Sequence, residues 1–497
     1  MTHKKSNFRG AQQRNLMIKR MAENKDNVSV ESKPTHEHQP AQEATRHVDV
    51  CVIGAGLTGL TTAFLLKRKG KEVVVIEKQP RIGGQIHTQQ VGDYIMESGP
   101  NTGSVSFPEV AELFEALNQE CSMETACESS KRRWIWKGGR FHDLPAGPIG
   151  GLRTPLFTWY DKFRILGEPF RAKGTNPDET VGALAARRLG KSYLDYAVDP
   201  FVSGVYAGNP MTLVTRFALP KLYLLEQEHG SFIRGAIAKA RAPKTERDRR
   251  ATKKVFSARG GLSHLVNALG DAIGAAHLIK SADGVEIHPT EGGYVVKYTT
   301  DLGQAQTVYC HEVVTTCGAY ALPALLPFIQ QSLMSKISNL FYAPIVQVGV
   351  GIKDTQGVSL NAFGGLVPSC EKQQVLGILF PSSCFENRAP LGGATLSFFL
   401  GGVLHQDFLS KTDEELTAIV EDALHRMLKL PASVQPDAIR IFRHERAIPQ
   451  YVASSGERYA AIEQIQQQYP GLILAGNIRD GIGMAHRIRQ AFEVARQ

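Results

Sequence analysis

The sequence predicts an α/β fold whose parallel sheet is built from both ends of the chain. Three observations carry this. Residues 48–53 (VDVCVI) form a nearly continuous apolar run that leads straight into Gly54-Ala55-Gly56-Leu57-Thr58-Gly59, a helical pattern and a second apolar strand at 72–76. Near the other end, residues 472–475 (LILA) lead into a second glycine-rich turn and a closing helix. The composition between them is ordinary: 497 residues, 42% hydrophobic and 21% charged, with 47 Gly and 25 Pro. Disorder of the bulk of the chain and low-complexity structure are therefore excluded, and the length suits about three domains.

Taken in order, residues 1–46 are polar and nearly free of aromatics, and read as a disordered basic tail. They hold no apolar segment of the secretory kind, and Glu23, Asp26, Glu31, Glu37 and Glu43 argue against an organelle transit peptide. Met17 and Met21 are alternative starts. Apolar runs such as 322–328 and 394–404 are short and broken by Pro or Gly, so no span of about 18–20 apolar residues is expected. The seven cysteines contain no CxxC pair, which points away from a zinc site or a disulfide framework and towards a reducing, cytoplasmic setting. The net charge of +9 suits nucleic acid, membrane surfaces or anionic substrates without choosing among them. Apart from the basic tail, nothing favours nucleic acid.

The first turn has a physical reading. Gly54 makes the tight turn, Gly56 lets the backbone approach a pyrophosphate and Gly59 lets the helix pack closely. The helix pattern runs over 60–69 and Gly70 stops it. The helix N-terminus offers N–H groups and positive dipole to phosphates. Glu77, eighteen residues after Gly59, is placed to accept from a ribose hydroxyl. The double glycine Gly83-Gly84, with Gln85, is unnecessary for a nicotinamide dinucleotide alone and suits an extended flavin dinucleotide. Met96-Glu97-Ser98-Gly99-Pro100-Asn101 follows it. The C-terminal turn, Gly476-Asn477-Ile478-Arg479-Asp480-Gly481-Ile482-Gly483-Met484, could bring N–H groups to an isoalloxazine ring. Its plainer alternative is a core strand with a capping helix.

These segments together (VCVIGAGLTGL, VVVIEKQPRIGGQI, ESGPNTG and LILAGNIRDGIGM) resemble the FAD-dependent amine oxidase-like superfamily. Within it, DPFVSGVYAGNP at 199–210 and FALPKLYLLEQEHGSFIRGAI at 217–237 are similar to the protoporphyrinogen oxidase family, from about residue 48 to the C-terminus. The resemblance implies a discontinuous Rossmann-like FAD-binding domain (47–130, 255–335 and 441–497), a mixed-sheet substrate domain (336–440) and a helical insertion (131–254) that touches membrane. It implies FAD contacts at Gly54, Ala55, Gly56, Leu57, Thr58, Gly59, Glu77, Lys78, Gly83, Gly84, Gln85, Gly99, Pro100, Asn101, Thr102, Val285, His444, Gly476, Asn477, Ile482, Gly483 and Met484. For His444 and His486 a structural role is the plainer reading. The charge-dense segment 240–254 reads as a contact for anionic lipid headgroups, or more simply as a solvated connection.

The resemblance also implies a six-electron oxidation of a porphyrinogen to a porphyrin, in three hydride transfers to the flavin. Oxygen or a quinone would then reoxidise it. The ring nitrogens shed the accompanying protons, so neither a catalytic base nor a metal is expected. Arg133 of the KRRW segment would clamp a propionate, which a guanidinium fits bidentately; the alternative is a surface charge. Gly204 would turn its carbonyl to the ring N–H groups. Ile345, Leu366 and Phe380 would sandwich the macrocycle, or be plain core. His444, Ala207 and the MAHRIRQA run depart from the family pattern and leave the exact flavin environment open.

Four readings follow. Protoporphyrinogen oxidation stands first, with coproporphyrinogen III oxidation as the close alternative; Arg133 favours the former. An amine oxidase or desaturase on the same fold, or a non-enzymatic flavoprotein, lacks support in the central segment. A peripheral position on the cytoplasmic face of a membrane is expected. The oligomeric state is left open, with a homodimer compatible.

Overall fold

The computed structural model describes residues 45–497, so nearly all of the predicted tail lies outside the described residues. The first strand, β1 (Thr45–Ile53), opens two residues inside the range expected to be tail. It pairs in parallel with Ala305–Thr315, whose Thr307 lies opposite Thr45, and this pairing carries the strand outwards.

Helix α1 (Leu57–Arg68) follows directly on Gly56 and is buried along most of its length. Its last turn carries Lys67 and Arg68, favourable against the helix dipole, and the chain leaves it through Gly70 at φ +81°. Strand β2 (Val73–Ile76) is wholly buried and pairs in parallel with β1. The sheet continues on one side to Leu278–Ile279. On the other side β3 (Ala305–Thr315) pairs in parallel with β1 and, through its last three residues, with the C-terminal strand. An antiparallel hairpin, Gly293–Thr299 and Asp283–Thr290, completes the edge. Apolar side chains of β1 and β2 alternate between two cores, one under α1 and one under the helices of 322–338.

The second sheet centres on β4 (Tyr342–Ile352), buried at every position and flanked by β5 (Ala394–Gly401) and β6 (Ala438–Pro449). Val346, Val348, Val350 and Ile352 point to a core closed by helix Asp413–Asp422. Beyond β5 lie Val375–Leu379, Gly364–Leu366, Arg133–Lys137 and Arg140–Asp143. Two expected boundaries therefore shift. Residues 133–143, expected in the insertion, form the edge of this sheet, because Arg133 pairs with Gly364 and Trp134 with Gly365. The sheet also runs past residue 440, through all of β6.

A buried polar contact ties the second sheet to a separate two-stranded hairpin, Thr88–Val91 and Tyr94–Glu97. Gln347 donates from Nε2 to the Glu97 carbonyl at 2.6 Å and to Ser397 Oγ at 2.8 Å. The Glu97 carboxylate accepts from the Leu262 amide and the Thr88 hydroxyl, each at 2.8 Å. Burial nonetheless holds its carboxyl above the usual range, against the pull of those two donors and of Arg388.

The insertion is helical from 147 to 249 and has its own polar centre. Arg188 is 0% exposed and meets Glu168 at 2.9 Å and Glu226 at 3.3 Å. Arg187 bridges Glu179 and Glu226. Breaking such a pair strands a buried carboxylate. Arg188→Met should therefore lower the urea midpoint by the equivalent of about 3–5 kcal/mol. Lys191→Ala, which removes the exposed Lys191–Asp195 pair, should cost under about 1 kcal/mol.

Candidate functional site

The last strand, β7 (Leu472–Leu474), and the last helix, α2 (Met484–Val494), bring the C-terminal turn against the first one. A third segment stands between them: Thr316, just past the end of β3. Its hydroxyl lies 3.0 Å from the carbonyls of both Ile53 and Gly54. A Cβ on Gly54 or on Gly59 would meet that hydroxyl at 2.8 Å, and one on Gly476 would meet the Thr316 carbonyl at 2.7 Å. Thr316 escaped sequence reading because the signal at this strand end is only a TTCG run.

The two glycines of the first helix turn do different work. A Cβ on Gly59 would stand 1.9 Å from the Gly54 carbonyl, so the helix packs on the turn backbone to backbone. A Cβ on Gly56 would meet no protein atom within 4 Å. That open space at a helix N-terminus fits a phosphate cradle. Gly83 lies beside Gly56 in a parallel bridge and donates its N–H to the Ala55 carbonyl at 2.7 Å; Gly84 comes close to the Gly56 Cα. Gln85 is exposed beside them, while Leu57 and Thr58 are buried in the first turn of α1.

Glu77 makes two backbone contacts besides the one expected of it. Its Oε2 accepts from the Ala55 amide at 2.7 Å and its Oε1 from the Gln79 amide at 2.8 Å. It thus ties the second strand to the glycine turn, with lone pairs left on both oxygens for a ribose. Lys78 is exposed and pairs with Asp283 at 3.6 Å, two residues from Val285, which sits at a bulge of the edge hairpin.

Residues 98–102 form the next wall. Asn101 donates to the Gly99 carbonyl at 3.1 Å, and its own Oδ1 is buried without a partner, an acceptor available to a ligand N–H or O–H. Pro100 and Thr102 are half-buried beside it. His444 reaches this wall from β6, with Nε2 against the Ser98 carbonyl, so Nε2 carries the proton. Burial holds its pKa below the usual value, the Ser98 carbonyl opposing and Arg81 assisting.

Two tyrosines that sequence reading missed hold the C-terminal turn. Tyr342 donates to Asn477 Oδ1 at 3.2 Å, and Tyr451 donates to the Asn477 carbonyl at 2.9 Å. Gly476 donates to Gln490 Oε1 at 2.8 Å. Gly483 caps α2, with Ile482 half-buried and Met484 buried. His486 packs edge-on to Phe107, and burial, with Arg487, Lys221 and Arg489 near, pushes its pKa down to about 4.

The substrate residues fall into two groups. A Cβ on Gly204 would meet Leu366 Cδ2 at 2.4 Å, so the structure brings these two together. They lie beside an apolar helix face where Phe201 and Val205 are each 42% exposed. Arg132 and Arg133 part company: Arg132 is bidentate to Asp143, at 3.0 and 2.8 Å, whereas Arg133 is exposed over the Phe363 ring. Among the described residues Arg133 has no carboxylate partner. Phe380, in contrast, is 0% exposed and packs edge-on to Trp134, and Ile345 is enclosed with Ala207 and Ala343. Phe380 presents no surface to a ligand here and is core, because it lies on the sheet face opposite Leu366.

Two glycine turns side by side at the carboxyl end of one parallel sheet, on either side of Thr316, with a second sheet and an apolar wall beside them, fit a flavin-dependent oxidoreductase. A profile of flavin containing amine oxidoreductases matches residues 57–497, and the chain belongs to that family. A profile of pyridine nucleotide-disulphide oxidoreductases matches residues 5–106 and overlaps it from residue 57. The chain is 28% identical to a chloroplastic protoporphyrinogen oxidase of Nicotiana tabacum, over 90% of this chain and 85% of the relative. It is 22% identical to the coproporphyrinogen III oxidase of Bacillus subtilis, over 89% and 96%. A crystal structure from Exiguobacterium, provisionally named a protoporphyrinogen oxidase, shares the fold at a TM-score of 0.74 and 21% identity, over 91% and 98%.

Gly56→Val should leave thermal stability nearly unchanged and abolish flavin binding, read by absorbance after gel filtration, whereas Gly59→Val should lose the fold. His486 gives a pH signature. Its folded pKa lies below the unfolded value of about 6.5, so the stability it lends is present above that pH and is lost as pH falls towards about 4. His486→Phe should remove a loss on the order of 2–3 kcal/mol across that window, seen in urea titrations at pH 7 and pH 4.

Proposed function

We propose that the chain binds FAD and oxidises protoporphyrinogen IX to protoporphyrin IX. The observation that carries the reading is the wall made by Gly204 on Leu366, flanked by exposed Phe201 and Val205, in a domain whose penultimate strand offers the exposed guanidinium of Arg133, which has no carboxylate partner among the described residues. A flat apolar macrocycle with carboxylates at one edge suits that combination. The names of the tobacco and Bacillus relatives support a porphyrinogen substrate. The chemistry FAD supplies when bound is hydride acceptance, with reoxidation by oxygen or a quinone.

The chain's own residues bind and orient. Gly56 and the α1 N-terminus receive the pyrophosphate, Glu77 the ribose, and the 98–102 and 476–483 segments the flavin ring. Arg133 holds a propionate through charge-assisted hydrogen bonds. Protons leave from the substrate nitrogens, so no side chain is assigned as base. Coproporphyrinogen III remains the second reading, on the observation that the Bacillus relative also matches along the chain.

Membrane contact belongs to the same proposal, with its site moved. Among the described residues no helix is long and apolar enough to cross a membrane. Arg247 of the 240–254 segment is already paired with Glu109 and Glu112, and Arg250 with Glu115, so these two side chains are held within the protein. The exposed apolar surface lies instead at Gly147–Arg153 and Trp159–Leu166, where Trp159 is 62% and Phe163 67% exposed beside Lys162. Apolar side chains over lysine and arginine suit the surface of an anionic bilayer.

Arg133→Ala should raise KM for protoporphyrinogen by about ten- to a hundredfold with bound FAD unchanged. Arg132→Ala should stay near the parent, because its charge is spent on Asp143. Equal effects at both would point to diffuse steering. Phe163→Glu should release the protein from anionic vesicles in flotation without loss of turnover in detergent; retention at the parent level would exclude this face.

A further inference from the structure

We propose that Cys127 and Cys384 form a reversible disulfide, a modification site for hydrogen peroxide where the segment leading into the Arg133 strand meets the short helix after Phe380. The Cys127 amide donates to the Cys384 carbonyl at 2.9 Å. One N–H···O=C bond between two residues holds their Cα atoms roughly 5–6.5 Å apart, inside the roughly 4.4–6.8 Å that a disulfide spans.

The two thiols differ in access. Cys127 is exposed and lines a cavity of about 480 Å³ with Ser382, Ser383 and Phe385. Cys384 is 1% exposed at the end of the short helix Pro381–Cys384. Burial pushes its thiol up to about 12; the Ser130 hydroxyl opposes this, the Cys127 thiol adds to it and Arg133 opposes it. Both sulfurs and the Arg133 guanidinium therefore share one neighbourhood. Cys51 and Cys310 also meet side chain to side chain, but both are buried within the first sheet, out of reach of an oxidant.

The chemistry balances in two steps. The Cys127 thiolate attacks one peroxide oxygen, the O–O bond breaks, and sulfur is oxidised to sulfenic acid while the other oxygen leaves as water. The Cys384 thiolate then attacks the Cys127 sulfur, the S–O bond breaks, and a second water leaves. The closing step needs ionised Cys384, so it is slow at neutral pH and quickens with alkalinity. The bond ties the segment leading into the Arg133 strand to the turn that follows Phe380.

The test uses the full, flavin-loaded chain, reduced and then exposed to hydrogen peroxide at pH 7, 8 and 9, with thiols alkylated after denaturation and peptides mapped without reductant. The expected product is a Cys127–Cys384 peptide lighter by two hydrogens, reversed by dithiothreitol, forming about tenfold faster per pH unit. Cys127→Ser should abolish it and leave Cys384 alkylatable. Cys384→Ser should let Cys127 run on to sulfinic acid, and Cys51 and Cys310 should stay reduced throughout. The proposal is overturned if Cys127 of the parent protein reaches sulfinic acid while Cys384 stays alkylatable. It is equally overturned if the linked peptide joins two chains, with a yield that grows with protein concentration.

Discussion

The structure depends on one close approach: glycine backbone against the hydroxyl and carbonyl of Thr316. Its hydroxyl and carbonyl sit where Cβ atoms of Gly54, Gly59 and Gly476 would be. Three segments separated by some of the longest intervals in the chain can meet there only because glycine stands at each contact. The meeting sets the pairing of the first strand with Ala305–Thr315, and of that strand with Leu472–Leu474. It also presents two helix N-termini to one region, as the proposed dinucleotide site requires.

Much of this was legible in the sequence. Each glycine turn announces itself because strand, turn and helix are local and the glycines have no other use. The 199–210 segment was legible as a motif, although its geometry was not. Long-range partners were invisible. Nothing in a TTCG run says that Thr316 faces two distant glycine turns, and nothing in an IPQY run says that Tyr451 donates to Asn477. The KRR run shows why register matters. Three adjacent cations look equivalent in sequence, yet Asp143 sits where Arg132 reaches it and leaves Arg133 uncommitted. Phe380 misled for the same reason: an apolar residue beside a predicted cavity and one behind the sheet have the same sequence signature, and only the pleat separates them.

The insertion illustrates a division of labour. Its interior is organised by buried charge, with Arg188 enclosed by Glu168 and Glu226, while its outer helices expose tryptophan, tyrosine and phenylalanine. Apolar side chains that would ordinarily close a core are free to face outwards because ionic pairing supplies much of the interior's specificity. A second buried polar contact, from Gln347 to the Glu97 carbonyl, ties the second sheet to the hairpin of residues 88–97.

The most direct test of the account is anaerobic mixing of the flavin-loaded protein with protoporphyrinogen IX, followed by flavin absorbance. The account predicts prompt bleaching of the flavin, with porphyrin appearing only once oxygen is admitted to reoxidise it, and coproporphyrinogen III slower. A flavin that stays oxidised with both porphyrinogens, yet bleaches on addition of an amine, would contradict it.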